Sequence, residues 1–150
     1  MLACYKTEIP GDLFTLLVRK HCDSTKEIYI KDVRTSFGKW VEVPSDTYDA
    51  DVYVHSTILG SLITTLYKPT SPLMIYFKLD NGKVYRYRIV PAVLKNGIYL
   101  RYFVKNQQDF NELLSGNTEN LHRIKAIKIE PEGINLNYAQ RYRIVFFKGV

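Results

Sequence analysis

Cysteine is scarce: Cys4 and Cys22 are the only two in 150 residues. A structural zinc site draws on four ligands in paired spacings, which two distant thiols do not supply. They read as free thiols, with a disulfide suited to an oxidising compartment as the other option. Histidine is equally thin, and His21, His55 and His122 form no two-histidine ligand motif. Ser61 sits in Leu59-Gly60-Ser61-Leu62 without the flanking glycines of a nucleophile elbow. The single glycine of Asn81-Gly82 gives no nest of backbone amides for a phosphate. Asp80, Asp109, Glu112, Glu130 and Glu132 offer no pair marked for glycoside hydrolysis. No apolar run reaches the length that spans a bilayer, and the first residues lack the basic start and apolar middle of a signal peptide. No catalytic or metal constellation emerges, and the chain reads as a non-enzyme.

What the chain has is tyrosine. Twelve tyrosines against two methionines favour strands over helices, and 46% hydrophobic residues suffice for a core. One domain over residues 1–150 is expected, since a chain of this size buries roughly 70% of its unfolded surface. The clearest local signal is the run 73–79, then Asp80-Asn81-Gly82, then 83–90. Asn-Gly between two β-rich runs marks a hairpin, because both residues tolerate the positive φ of a tight turn. Leu73, Ile75, Phe77 and Leu79 alternate with Met74, Tyr76 and Lys78, which sends the first set inward. In the return strand Tyr85, Tyr87 and Ile89 oppose Val84, Arg86 and Arg88.

Further strands are expected at 13–19, 27–33, 36–43, 51–55, 97–104, 123–130 and 140–148. Residues 56–67 carry apolar positions at helical spacing that Gly60, Thr64 and Thr65 weaken, giving a short helix or an irregular crossover. Asn106 is a helix N-cap, Asp109 sits three residues on, Phe110, Leu113 and Leu114 form an inward stripe, and Gly116 ends the helix. The crossover helices that parallel strands require are missing. The expected fold is therefore all-β: an antiparallel two-sheet sandwich of jelly-roll or galactose-binding type with one or two short helices.

Leu66-Tyr-Lys-Pro69, the strand 73–79, Tyr87-Arg-Ile-Val-Pro91, Gly97-Ile-Tyr-Leu100, Val104-Lys-Asn106 with Asp109-Phe110, and Arg123-Ile-Lys-Ala-Ile127 together resemble a family pattern. It is that of carbohydrate-binding-module-like β-sandwich domains inserted in bacterial polytopic membrane proteins, generally of unknown function, and it covers about half the chain. The resemblance implies an extracytoplasmic setting, periplasmic or at the cell surface, with other domains of the same protein as partners. A chain complete as it stands would instead be cytoplasmic.

The net charge of +6 suits an anionic partner such as nucleic acid, anionic lipid or acidic polysaccharide; good solubility is the plainer reading. Arginine and tyrosine interleave at Tyr85-Arg86-Tyr87-Arg88, Tyr99-Leu100-Arg101-Tyr102 and Arg141-Tyr142-Arg143. On pleated strands the arginines of each run share one face, so adjacent strands would assemble a basic patch with tyrosines at its margins. Solvated arginines over core-roofing tyrosines are the plainer reading. Trp40, the only tryptophan, is a candidate ring-stacking platform or a cap on the core. The expected ligand contacts are Trp40, Arg86, Arg88, Tyr99 and Arg101, holding a polysaccharide or glycan by stacking and hydrogen bonds. Nucleic acid on the same face, or a purely structural spacer role, are the alternatives. No cofactor is expected beyond a structural calcium ion at Asp46, Asp49 and Asp51, where a solvated acidic loop is the simpler account.

Overall fold

The computed structural model describes residues 28–57, 72–132 and 138–148, and the backbone of residues 5–9 and 16–19. Cys4, Cys22, His21 and the ambiguous segment at 58–67 lie outside the described residues. Strands β1 (Tyr5–Ile9) and β2 (Leu16–Arg19) pair antiparallel with each other. The remaining strands are β3 (Ile28–Ser36), β4 (Val41–Glu42), β5 (Asp49–Ser56), β6 (Leu73–Leu79), β7 (Val84–Ile89), β8 (Ile98–Tyr99), β9 (Ile124–Pro131) and β10 (Tyr138–Lys148). They form two four-stranded antiparallel sheets. The first has the order β3-β10-β5-β8 and the second β4-β9-β6-β7.

From β3 onward every connection except the β6–β7 hairpin passes from one sheet to the other, which is the winding of a jelly roll. The two inner faces meet in one core. Val52, Ile144 and Phe146 from the first sheet pack in it with Leu73, Ile75, Ile127 and Ile129 from the second, all at most 1% exposed. The period-two alternation of β6 holds: Leu73, Ile75 and Leu79 are buried, Phe77 is half-buried against the core, and Lys78 is exposed. Tyr85 packs against the core on β7, where the Phe103 ring stacks on it at 4.5 Å, while Tyr87, 43% exposed, stands 6.0 Å from Phe103 at the margin.

The hairpin forms on the expected turn residues 80–82, while two other local expectations change. The turn is a three-residue loop: Gly82 N–H donates to the Leu79 carbonyl at 3.0 Å and Leu79 N–H to the Lys83 carbonyl at 2.9 Å. Gly82, at φ +80°, supplies the left-handed residue that this loop length requires. The long strand expected at 97–104 is only Ile98–Tyr99, which pairs with β5 in the first sheet, while Tyr102 bridges Arg123 on the way to the second. Leu100 and Phe103 are both buried, at a spacing of three, so the segment does not keep the strict alternation of a pleated ribbon. The strand expected at 36–43 contracts to Val41–Glu42, because a turn at Phe37-Gly38-Lys39 breaks it.

Among the described residues there are two short helices. Helix α1 (Pro91–Leu94) starts on the proline that ends the hairpin's return strand. Helix α2 (Gln107–Ser115) has the expected caps: Asn106 Oδ1 accepts from Asp109 N–H at 2.8 Å, and Gly116 closes it with Asn117 N–H donating to the Glu112 carbonyl at 3.0 Å. Its stripe of Phe110, Leu113 and Leu114 is half-buried rather than part of the core.

Candidate functional site

The outer face of the second sheet is set by register. Val41 pairs with Ile127 and Glu42 with Ala126, so Trp40 extends the antiparallel ladder opposite Lys128. Lys128 pairs with Tyr76, and Tyr76 with Arg86. Ile127 and Val41 point inward and are buried. Their neighbours therefore point outward, and Trp40, Lys128, Tyr76 and Arg86 form one row across four strands. A flanking row holds Glu130, Met74 and Arg88, and another holds Glu42, Ala126, Lys78 and Val84.

Trp40 reaches this surface because of the turn before it. Gly38 adopts φ +80° and its N–H donates to the Ile129 carbonyl at 3.0 Å, a conformation that favours glycine. The indole is 43% exposed and meets the Tyr76 ring edge-on, with centroids 6.5 Å apart. Lys128 Nζ sits 4.2 Å from the Tyr76 ring centre and 5.5 Å from that of Trp40, within cation–π range of both. Glu130 Oε1 accepts from Lys128 Nζ at 2.7 Å. The rings are thus held by a shared cation whose charge is already compensated.

The hydrogen bond from Lys128 holds the Glu130 carboxyl below its ordinary 4.5; partial burial opposes this, and a hydrogen bond from Tyr76 adds to it. A carboxylate whose folded value is depressed stabilises the fold above its unfolded value, and that contribution is lost as pH falls through the lowered one. Trp40 is the sole tryptophan, so its emission reports on this cluster alone. That emission should stay constant from neutral pH down to 4.5 and change below it. Glu130→Gln should abolish the step, and a step surviving in that variant would detach Trp40 from this carboxylate.

The structure brings Trp40, Arg86 and Arg88 onto one surface and places Tyr99 and Arg101 elsewhere. Arg88 pairs with Glu132 at 2.8 Å across an exposed contact. Tyr99 lies on β8 with its ring edge against Tyr48 at 5.1 Å, and burial raises its phenol above the ordinary value. Arg101 packs over Tyr102 at 5.6 Å, and Arg123 approaches the same ring at 5.7 Å. The three arginine–tyrosine runs therefore do not merge into one basic patch. Arg141 and Arg143 are exposed on the first sheet, where Arg143 is neutralised by Asp32 at 2.7 Å, whereas Arg86 and Arg88 belong to the second.

The acidic segment also separates. Asp46 lies 3.8 Å from Lys148, while Asp49 and Asp51 close on Gly97 and Tyr53 donates to Asp51 at 3.2 Å. Among the described residues no three His, Cys, Asp or Glu side chains gather to hold a metal. His122 contacts Asp80 at 3.0 Å, joining the hairpin to the segment before β9. Tyr76, Lys128 and Glu130 were not among the ligand contacts expected from the sequence, where Glu130 is weighed only as one of five scattered carboxylates. The alternation of β6 already put Tyr76 on the outer side, but nothing local links residue 76 to residues 40 and 128.

Comparison with family models, with curated proteins and with solved structures finds no match to this chain.

Proposed function

We propose that this domain is a non-catalytic binding module that holds a polysaccharide or glycan chain against the outer face of the second sheet. The supporting observation is the exposed indole of Trp40, fixed on a pleated surface by Tyr76 and Lys128 and followed along the row by Arg86. A ring platform that is ordered before binding loses little conformational freedom when a sugar ring stacks on it. Guanidinium and ammonium groups beside it supply hydrogen bonds to hydroxyls.

Charge favours this over nucleic acid. The face carries four cations, Lys78, Arg86, Arg88 and Lys128, against three carboxylates, Glu42, Glu130 and Glu132. A protein that neutralises six to ten phosphates loses about 10³–10⁵ in affinity between about 50 and about 200 mM salt. This face, nearly balanced, should lose less than about tenfold over that range. The test is titration of Trp40 emission with a panel of soluble polysaccharides at both salt levels. Saturable quenching with a shallow salt slope is expected. A steep slope and tighter binding to single-stranded RNA would replace the glycan reading with the nucleic-acid one. An unresponsive Trp40 would leave the spacer role, which the exposed Ile28, Tyr29, Val90 and Val93 favour as docking positions.

The extracytoplasmic, membrane-protein setting is part of the proposal and rests on the sequence resemblance. No described helix is long and apolar enough to cross a membrane. Transmembrane segments flanking this region in the full-length reading frame are the expected finding, and their absence would remove the setting while leaving the binding face.

A further inference from the structure

The cations of the outer face fall into two kinds. Lys128 is held by Glu130 at 2.7 Å and Arg88 by Glu132 at 2.8 Å, so each already has its counter-charge. Arg86 and Lys78 are both exposed and have no carboxylate partner among the described residues. They are also neighbours. Tyr76 pairs with Arg86 and Lys78 with Val84, which makes Lys78 and Arg86 a diagonal pair on one face of the hairpin, roughly 7–8 Å apart at the backbone. The nearest carboxylate in the Lys78 row is Glu42, beyond Ala126 and therefore two strand spacings away, about 10 Å. That is about one Debye length at moderate salt, too far to neutralise either cation.

The two uncompensated cations stand at the far end of the aromatic row. Trp40 and Arg86 are separated by three strand spacings, about 14 Å, with Tyr76 and Lys128 between them. Two adjacent like charges left open on the outer face of the β6–β7 hairpin repel one another, and an anion between them relieves the repulsion. The planar guanidinium fork matches a carboxylate through two parallel hydrogen bonds, and the lysine adds a point charge beside it.

From this we infer that the glycan taken by this face is acidic, with a sugar ring seated on Trp40 and a uronate carboxylate held by Arg86 and Lys78 further along the same chain. The inference rests on the glycan reading and adds the charge class of the ligand and the two residues that select it.

The experiment titrates Trp40 emission with short oligomers of galacturonate, glucuronate and mannuronate, each beside its methyl ester. The ester keeps the ring and hydroxyls and removes the charge. For at least one pair, the acid should bind about tenfold more tightly than the ester, the effect of one charge-assisted contact. The double variant Arg86→Gln with Lys78→Gln should abolish the difference, so that acid and ester bind that variant with equal affinity. Both positions are exposed, and an unchanged thermal unfolding midpoint checks that the fold is intact. Equal binding of acid and ester by the natural protein, with Trp40 still responding, would overturn the acidic selectivity and leave the glycan reading standing. Retention of the preference by the double variant would overturn the assignment to these two residues. Silence of Trp40 toward every oligomer would overturn both readings together.

Discussion

Phe146→Ala should destabilise the protein by about 3–5 kcal/mol, the usual cost of removing a buried phenylalanine and leaving a cavity. Phe146 is fully buried on β10, the strand hydrogen-bonded on one side to β3 and on the other to β5, where it faces Lys31 and Ala50 in the ladder. Neither neighbouring strand can close over the hole without giving up its own register. Against a typical total stability of about 5–15 kcal/mol, this is about a fifth of the margin or more. For a chain of this length it corresponds to a fall of roughly 6–20 °C in the thermal midpoint. In urea, the midpoint should drop while the slope stays constant, as expected when stability changes and the exposed surface does not. Val84→Ala, at a position 49% exposed on the edge strand β7, should stay within about 0.5 kcal/mol of the natural protein. Equal effects of the two substitutions would contradict a single core shared by both sheets.

Trp40→Ala should reduce binding of the responding glycan by at least about thirtyfold, since a ring at the centre of a contact typically contributes 2 kcal/mol or more on truncation. Calorimetry or surface immobilisation must replace fluorescence here, because the variant has no tryptophan left. The same substitution should cost little stability. The indole is 43% exposed, and what it loses is an edge contact with Tyr76 and a cation contact with Lys128. Trp40→Tyr should retain most of the affinity, because a flat amphipathic ring still stands on the same turn. A Trp40→Ala variant that binds as well as the natural protein would remove this face from consideration. One that fails to bind because it unfolds at room temperature would show instead that Trp40 caps the core.

These two residues illustrate how far local reading reaches. The inward set of β6 follows from period-two alternation, and the caps of α2 from Asn106, Asp109 and Gly116, since each depends only on residues a few positions apart. The shortening of the strand expected at 97–104 was not visible in the same way. Its residues have strand composition, but Ile98–Tyr99 pairs with β5 and Tyr102 bridges toward β9, so two distant partners divide one apparent ribbon. Arginine and tyrosine interleaving likewise suggested one basic patch. Each run does present its arginines to solvent, yet the sheets that carry them are different ones.

Composition and short-range pattern were enough for the antiparallel β class, the hairpin at residues 73–90 and the inward set of its first strand, because neighbours in the chain are also neighbours in these features. Which ribbons lie side by side was settled by folding alone. The row of Trp40, Lys128, Tyr76 and Arg86 joins four strands scattered along the chain, and it exists only after burial of Val41, Ile127, Ile75 and Phe77 has locked their registers. Each cross-strand contact contributes well under about 1 kcal/mol by itself, so no one pair announces its partner in advance. Only the sum over a common core selects the pairing, and that sum belongs to the whole molecule.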